Sequence, residues 1–192
     1  VTLLYGRADI NPVVLSNQVF YGATVKTLFG SALALGYVNN DSHADIVVGA
    51  PKADDVGNKR VDAGSVTIID GSTLAALPNV YYGSATKAYA GTAVAVGNVD
   101  AVAGVDIIIG APNDDDIANN RKDTGSVTVY NIATTTPVIP KQYGAVAKAY
   151  FGKSVAAGNV DGVTGDEVLV GAPGDDNALM KDAGSVTVFF TD

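Results

Sequence analysis

Phe29-Gly30-Ser31-Ala32-Leu33-Ala34-Leu35-Gly36, then Ile46-Val47-Val48-Gly49-Ala50-Pro51, then Ala63-Gly64-Ser65-Val66-Thr67, is a passage that the chain writes three times. Gly-Ala-Pro returns as Gly110-Ala111-Pro112 and Gly171-Ala172-Pro173, 61 residues apart each time. Tyr21-Gly22 returns at Tyr82-Gly83 and Tyr143-Gly144, and Lys26 at Lys87 and Lys148. Ala63-Gly64-Ser65-Val66-Thr67 returns at 124–128 and, after a shorter loop, at 183–187. A fixed period of this length marks a supersecondary unit that cannot bury its apolar face alone and stacks on its neighbours.

Within one unit the apolar runs are short and bounded by turn residues, without helical periodicity. The run at 31–36, repeated at 92–97 and 154–158, alternates small and larger residues, as expected of a strand in a crowded centre. The run at 46–49, repeated at 107–110 and 168–171, is apolar throughout, so both faces are expected to be covered. Proline closes it, because proline cannot donate to the next ladder bond. The run at 65–69, repeated at 126–130 and 185–189, is β-branched and alternating, which predicts a half-buried strand. A weaker fourth run lies at 79–82, with counterparts at 18–21 and 139–143. Four strands joined in sequence by turns describe a blade of a β-propeller.

The fold class read here is therefore all-β: propeller blades of four antiparallel strands in a single domain over 1–192. The repeats run about 23–83, 84–144 and 145–192. Residues 1–22 supply strands of the third and fourth type, because Val1-Thr2-Leu3-Leu4-Tyr5 reads like the third run. The last repeat has no fourth strand of its own, which makes residues 1–22 a candidate donor. Three blades are fewer than the usual ~4–8 of a ring. Two chains closing a six-bladed ring, chains adding end to end, or a part of a longer propeller are the open arrangements. Unpaired edges at both ends disfavour a solitary monomer.

Twelve basic residues against twenty acidic ones give a net charge of -8, which argues against a nucleic acid or an anionic membrane as partner. No apolar run approaches the ~20 residues of a membrane span. The chain has no cysteine and one histidine, His43, so thiolate metal sites are excluded and nucleophile–base pairs nearly so. Acidic pairs recur in every repeat, whereas a catalytic pair should break the repeat. An enzyme is not expected.

These residues resemble the FG-GAP repeat of integrin α-subunit propellers and their bacterial relatives. Phe29-Gly30 with Gly49-Ala50-Pro51, and Phe151-Gly152 with Gly171-Ala172-Pro173, carry the resemblance over residues 18–190; the middle copy has Ala90-Gly91. The resemblance implies a non-enzymatic extracellular or cell-surface recognition and adhesion module that binds a protein or glycan partner. A self-assembling structural block, or a lectin, is the alternative. It further implies calcium in the turn between first and second strands, held by Asp or Asn at alternating positions and an acid at the ninth. The first turn keeps Asn39, Asp41 and Asp45, with Tyr37 at the first position. The second keeps Asn98, Asp100 and Asp106, and the third Asn159, Asp161 and Glu167; valine holds the fifth position in both. Read without the resemblance, the same residues cap turns.

A second acidic segment follows each Gly-Ala-Pro: Asp54-Asp55 with Asp62, Asp114-Asp115-Asp116 with Asp123, and Asp175-Asp176 with Asp182. Nearby Lys59, Arg60, Arg121, Lys122 and Lys181 make a solvated loop of amide bonds and ion pairs the preferred reading over a second cation site. Tyr21, Tyr82 and Tyr143 are expected to pack between blades, and Lys26, Lys87 and Lys148 to be solvated turn residues.

Overall fold

The computed structural model of the chain describes residues 1–5, 16–102, 104–132 and 136–190. Thirteen strands and one 3-10 turn, Ile117–Asn119, make up the described regular structure. β1 (Thr2–Tyr5) and β2 (Ser16–Val19) form a two-stranded antiparallel sheet. β3 (Ala32–Gly36), β4 (Asp45–Ala50), β5 (Ser65–Ile69) and β6 (Ala76–Tyr82) form the first full blade. β7 (Ala93–Gly97), β8 (Asp106–Ala111), β9 (Ser126–Asn131) and β10 (Pro137–Tyr143) form the second. β11 (Ser154–Gly158), β12 (Glu167–Ala172) and β13 (Ser185–Phe189) form a third blade of three strands.

Every blade is an antiparallel meander in the same register. Gly36 pairs with Asp45, Gly97 with Asp106 and Gly158 with Glu167, so the ninth residue of each turn opens the second strand. The second strands are the spine. β4 and β8 are buried at every position, as their unbroken apolar sequence requires.

The blades pack face to face, and strand alternation decides which residue meets which neighbour. Val47, Val66, Ile68 and Tyr81 of the first blade pack against Val94, Ile107 and Ile109 of the second. Ile108, Val127 and Val129 on the second blade's other face pack against Val168, Val170 and Ala172 of the third. Ile46, Val48 and Ile69 are covered by Val1, Leu3 and Phe20 of the β1–β2 hairpin. Each such aliphatic side chain contributes ~1.5–3 kcal/mol when fully buried, so these seams hold the stack.

At the centre of each seam the backbones nearly touch. A Cβ at Gly49 would lie 3.0 Å from Gly91 C and 3.3 Å from its Cα, and one at Gly110 would meet Gly152 at the same distances. Glycine is the residue that permits this approach. Phe151 N donates to Thr124 O across the second seam at 2.9 Å, and Ala90 N to Ala63 O across the first at 2.9 Å.

The recurring tyrosines do not pack between blades. Tyr21 is 84% exposed and Tyr82 42%, and Tyr143 lies under the Lys141 ammonium, 5.6 Å from its ring centroid. Alternation turns them outward and turns the preceding position inward. Tyr81 is buried there and meets Tyr130 with ring centroids 4.8 Å apart. Lys26, Lys87 and Lys148 are exposed turn residues, each with positive φ.

Candidate functional site

The three turns between first and second strands lie at one end of the stacked blades. In the first, Asp45 is fully buried and spends its carboxylate on backbone: Oδ2 accepts from Val38 N at 2.9 Å and Asn39 N at 3.0 Å, and Oδ1 from Gly71 N at 2.9 Å. Asn39 Oδ1 accepts from Asp41 N, while its amide nitrogen donates to Asp41 at 3.1 Å and to Asp70 at 3.0 Å. The structure thus gathers Asn39 and Asp41 with Asp70. That acid escaped the sequence reading because it follows β5, far from the turn in sequence. Asp70 also accepts from Ser72 and Thr73, which holds its carboxyl well below the usual range, at about 2. His43 is exposed, with Ser42 Oγ 3.3 Å from its Nδ1.

The second turn is different. Asp106 Oδ2 accepts from Val99 N at 2.9 Å and Asp100 N at 3.2 Å, but its Oδ1 is buried with no hydrogen-bond partner. Asn98 Oδ1 in the same turn is likewise buried and unpartnered. Burial, and then the nearby Asp100 charge, push the Asp106 carboxyl up, against the pull of the Val99 and Asp100 amides and the Asn131 side chain. Asn131 donates to Asp100 at 3.3 Å, and Asp166 of the third blade accepts from Asn98 N at 2.8 Å. In the third turn Glu167 Oε2 takes Val160 N at 2.6 Å and Asp161 N at 3.3 Å, and Asn159 caps the turn through Gly162 N and Val163 O.

Among the described residues no three acidic or histidine side chains converge to hold a metal ion. The first and third turns read as caps. The second turn differs in leaving two buried oxygens, Asn98 Oδ1 and Asp106 Oδ1, without donors, the kind of group a hard cation would satisfy.

The acidic segments after Gly-Ala-Pro are amide acceptors and ion-pair partners. Asp54, Asp115 and Asp176 accept from the backbone of Asp62, Asp123 and Asp182. Asp55 is held by Arg60 and Asn58, and Asp116 by Arg121 and Asn119, which lowers both carboxyls. Asp55, Asp114 and Asp116 are buried, against the solvated loop expected, and Asp114 departs furthest. It is buried, and its Oδ2 accepts from Ser126 Oγ at 2.8 Å and Lys141 Nζ at 2.6 Å.

The third blade ends the stack with an uncovered face and an open edge. Val66 is 0% exposed and Val127 2%, but their counterpart Val186 is 69% exposed. A Cβ at Gly171 would meet only Ser154 of its own blade. Among the described residues β13 pairs with β12 alone. At the other end Leu33 and Leu35 are 52% and 63% exposed, where Val94, the counterpart of Leu33, is 9%.

Blades of this register, each joined to the next through its Gly-Ala-Pro strand, define FG-GAP-type propeller blades. The family described as FG-GAP repeat matches residues 29–69. Integrin alpha-7 of Mus musculus is 29% identical over 181 residues, which is 91% of this chain and 15% of that protein. Integrin alpha-3 of Mus musculus is 31% identical over 103 residues, 50% of this chain and 9% of that protein. Residues 29–69 thus carry an FG-GAP repeat, the chain is similar to these integrin α subunits, and it spans a small fraction of their length.

Proposed function

We propose that the protein is a non-enzymatic recognition and adhesion module that works outside the cell or at its surface, and that it assembles by stacking its last blade on a further blade of the same kind, in a second copy. The exposed following face of β11–β13 supports this reading. Leu169, Val186 and Val188 stand where Val47, Val66 and Ile68 are sealed by the next blade. The same chain carries the complementary surface at its other end, at Leu33 and Leu35. The β1–β2 hairpin covers Ile46, Val48 and Ile69 beside them and yields the third-strand place when β13 arrives. Light scattering tests this: the native particle exceeds one chain in a concentration-dependent way, and Val186→Asp returns it to the monomer. A monomer at every concentration would remove the reading.

Calcium belongs to this proposal at the second turn, through Asn98, Asp100 and Asp106, where it would pair the unsatisfied oxygens and offset the crowding of acids. Asn39, Asp41, Asp45, Asn159, Asp161 and Glu167 act in the other two turns as caps that fix the strand entry. The partner is a protein or glycan met through the turns and loops at the blade ends. Among the described residues no helix is long and apolar enough to cross a membrane.

A further inference from the structure

In each complete blade the loop residue two positions after Gly-Ala-Pro matches the residue on the fourth strand two positions before its recurring tyrosine. The first blade has Ala53 and Val80, an apolar pair. The second has Asp114 and Lys141, which form a short ion pair with Ser126 on the third strand. The loop geometry is shared by all three. Ala53, Asp114 and Asp175 each accept the amide of the glycine that opens the third strand: Gly64 at 2.9 Å, Gly125 at 3.0 Å and Gly184 at 2.9 Å.

The third blade keeps the acid and the serine without the base. Asp175 Oδ2 accepts from Ser185 Oγ at 2.6 Å, as Asp114 does from Ser126, while Asp175 Oδ1 is buried with no partner. The position Lys141 fills in the second blade is empty here, because no described strand pairs with the free edge of β13. A carboxylate sheltered from water needs a donor or a cation, and in the preceding blade the equivalent acid takes a lysine, on the same Oδ2 that accepts from serine.

We infer that the open edge of β13 accepts an added antiparallel strand that carries a basic residue two positions before the residue pairing with Ser185, and that this base closes on Asp175. The occupant is an extended segment of the β10 kind. It is not β2. At the corresponding position β2 presents Val19, which suits the apolar pair of the first blade and leaves Asp175 unsatisfied. The partner edge of β2 is also taken, since Thr2 to Tyr5 of β1 pair with it in the register β13 would require. The inference rests on reading β11–β13 as an unfinished blade, and it holds whether or not its face takes a second copy. Strand addition supplies affinity through main-chain bonds, and the buried charge supplies selectivity.

The test uses the full chain and three synthetic peptides: residues 136–144, the same peptide carrying Lys141→Val, and residues 15–22. The peptide of residues 136–144 binds, and the other two bind at least about tenfold more weakly, the scale of a hydrogen bond to a charged group. In Asp175→Ala, with Asp175→Asn as the isosteric check, the first two peptides bind within about threefold of each other. Equal binding of the lysine and valine peptides to the unaltered chain, or no binding by any peptide at millimolar concentration to the folded chain, overturns the inference. Discrimination by a chain that stays monomeric would leave this inference standing and remove the stacking of copies; oligomers without discrimination would do the reverse.

Discussion

Alanine placed in turn at Gly49, Gly110 and Gly171 performs the same chemistry at three equivalent positions, of which only two are covered by a following blade. At Gly110 the new methyl would lie 3.0 Å from Gly152 C and closer still to its carbonyl oxygen, and Gly49 faces Gly91 in the same way. Ordinary C···O approaches start at ~3.3 Å, and the obstacle is backbone, which cannot rotate aside. The blades must part along the seam that holds Val47, Val66, Ile107 and Ile109, or Ile108, Val127 and Val168. Overpacking costs ~1–3 kcal/mol, and a rigid obstacle puts these two variants near the upper end, about 3 kcal/mol. At this chain length that lowers Tm by ~6–12 °C. At Gly171 the obstacle is the Ser154 side chain of the same blade, which can move, so the loss is under ~1 kcal/mol. Denaturant unfolding of the three variants, at concentrations low enough to keep the chain monomeric, reads this directly. Equal losses at Gly110 and Gly171 would refute the claim that the third blade ends on an uncovered face.

Lys141→Ala strands the buried Asp114 carboxylate and destabilises by ~2–4 kcal/mol, since removing one partner of a buried pair costs more than the pair contributes; denaturant melts of Lys141→Val with Asp114→Ala, which copies Val80 and Ala53, recover most of that loss. Calcium raises the melting temperature by mass action on the folded state, and Asp100→Ala with Asp106→Ala abolishes the rise, whereas Asp41→Ala retains it; no rise at millimolar calcium would remove the metal from the account. The carboxyls of Asp55, Asp70 and Asp116 are lowered in the folded chain, so the stability they contribute is present above the ordinary carboxylate range and drains away in acid, for Asp70 between about 3.8 and about 2. Asp106 is raised and works with the opposite sign: its charged form is a burden above its folded value, and Asp106→Asn reduces that burden at neutral pH in calcium-free thermal melts. Removing residues 1–22 clears the third-strand place beside Leu33 and Leu35 and strengthens self-association by light scattering; loss of association would mean that the hairpin is a strand donor.

The repeat made the blades legible, but not every strand end: the fourth strand read at 79–82 runs Ala76–Tyr82, and the one read at 18–21 runs Ser16–Val19. Period and turn chemistry are local, and three registered copies average out the ambiguity of each. Val1-Thr2-Leu3 aligns with Val66-Thr67-Ile68 in sequence, and in the structure β1 pairs antiparallel with β2. What the sequence hid depends on which way a side chain points and on contacts that only one copy makes. Tyr82 recurs and faces out, while Tyr81 does not recur and faces in. Asp114 and Lys141 lie on different strand types, and only folding brings them within 2.6 Å. The turns looked alike by ligand count, and the sequence reading preferred the first copy as a metal site. The structure separates them, because unsatisfied oxygens occur in the second turn, where Asn98 and Asp106 each leave one buried.

The central claim is that the stack of blades ends unfinished and is completed by another blade. The mass of the native particle measured across a concentration series tests it most directly. The account predicts a particle heavier than the 19.4 kDa of one chain, growing with concentration and falling back to 19.4 kDa in Val186→Asp. A mass of 19.4 kDa at every concentration, unchanged by that substitution, would contradict it.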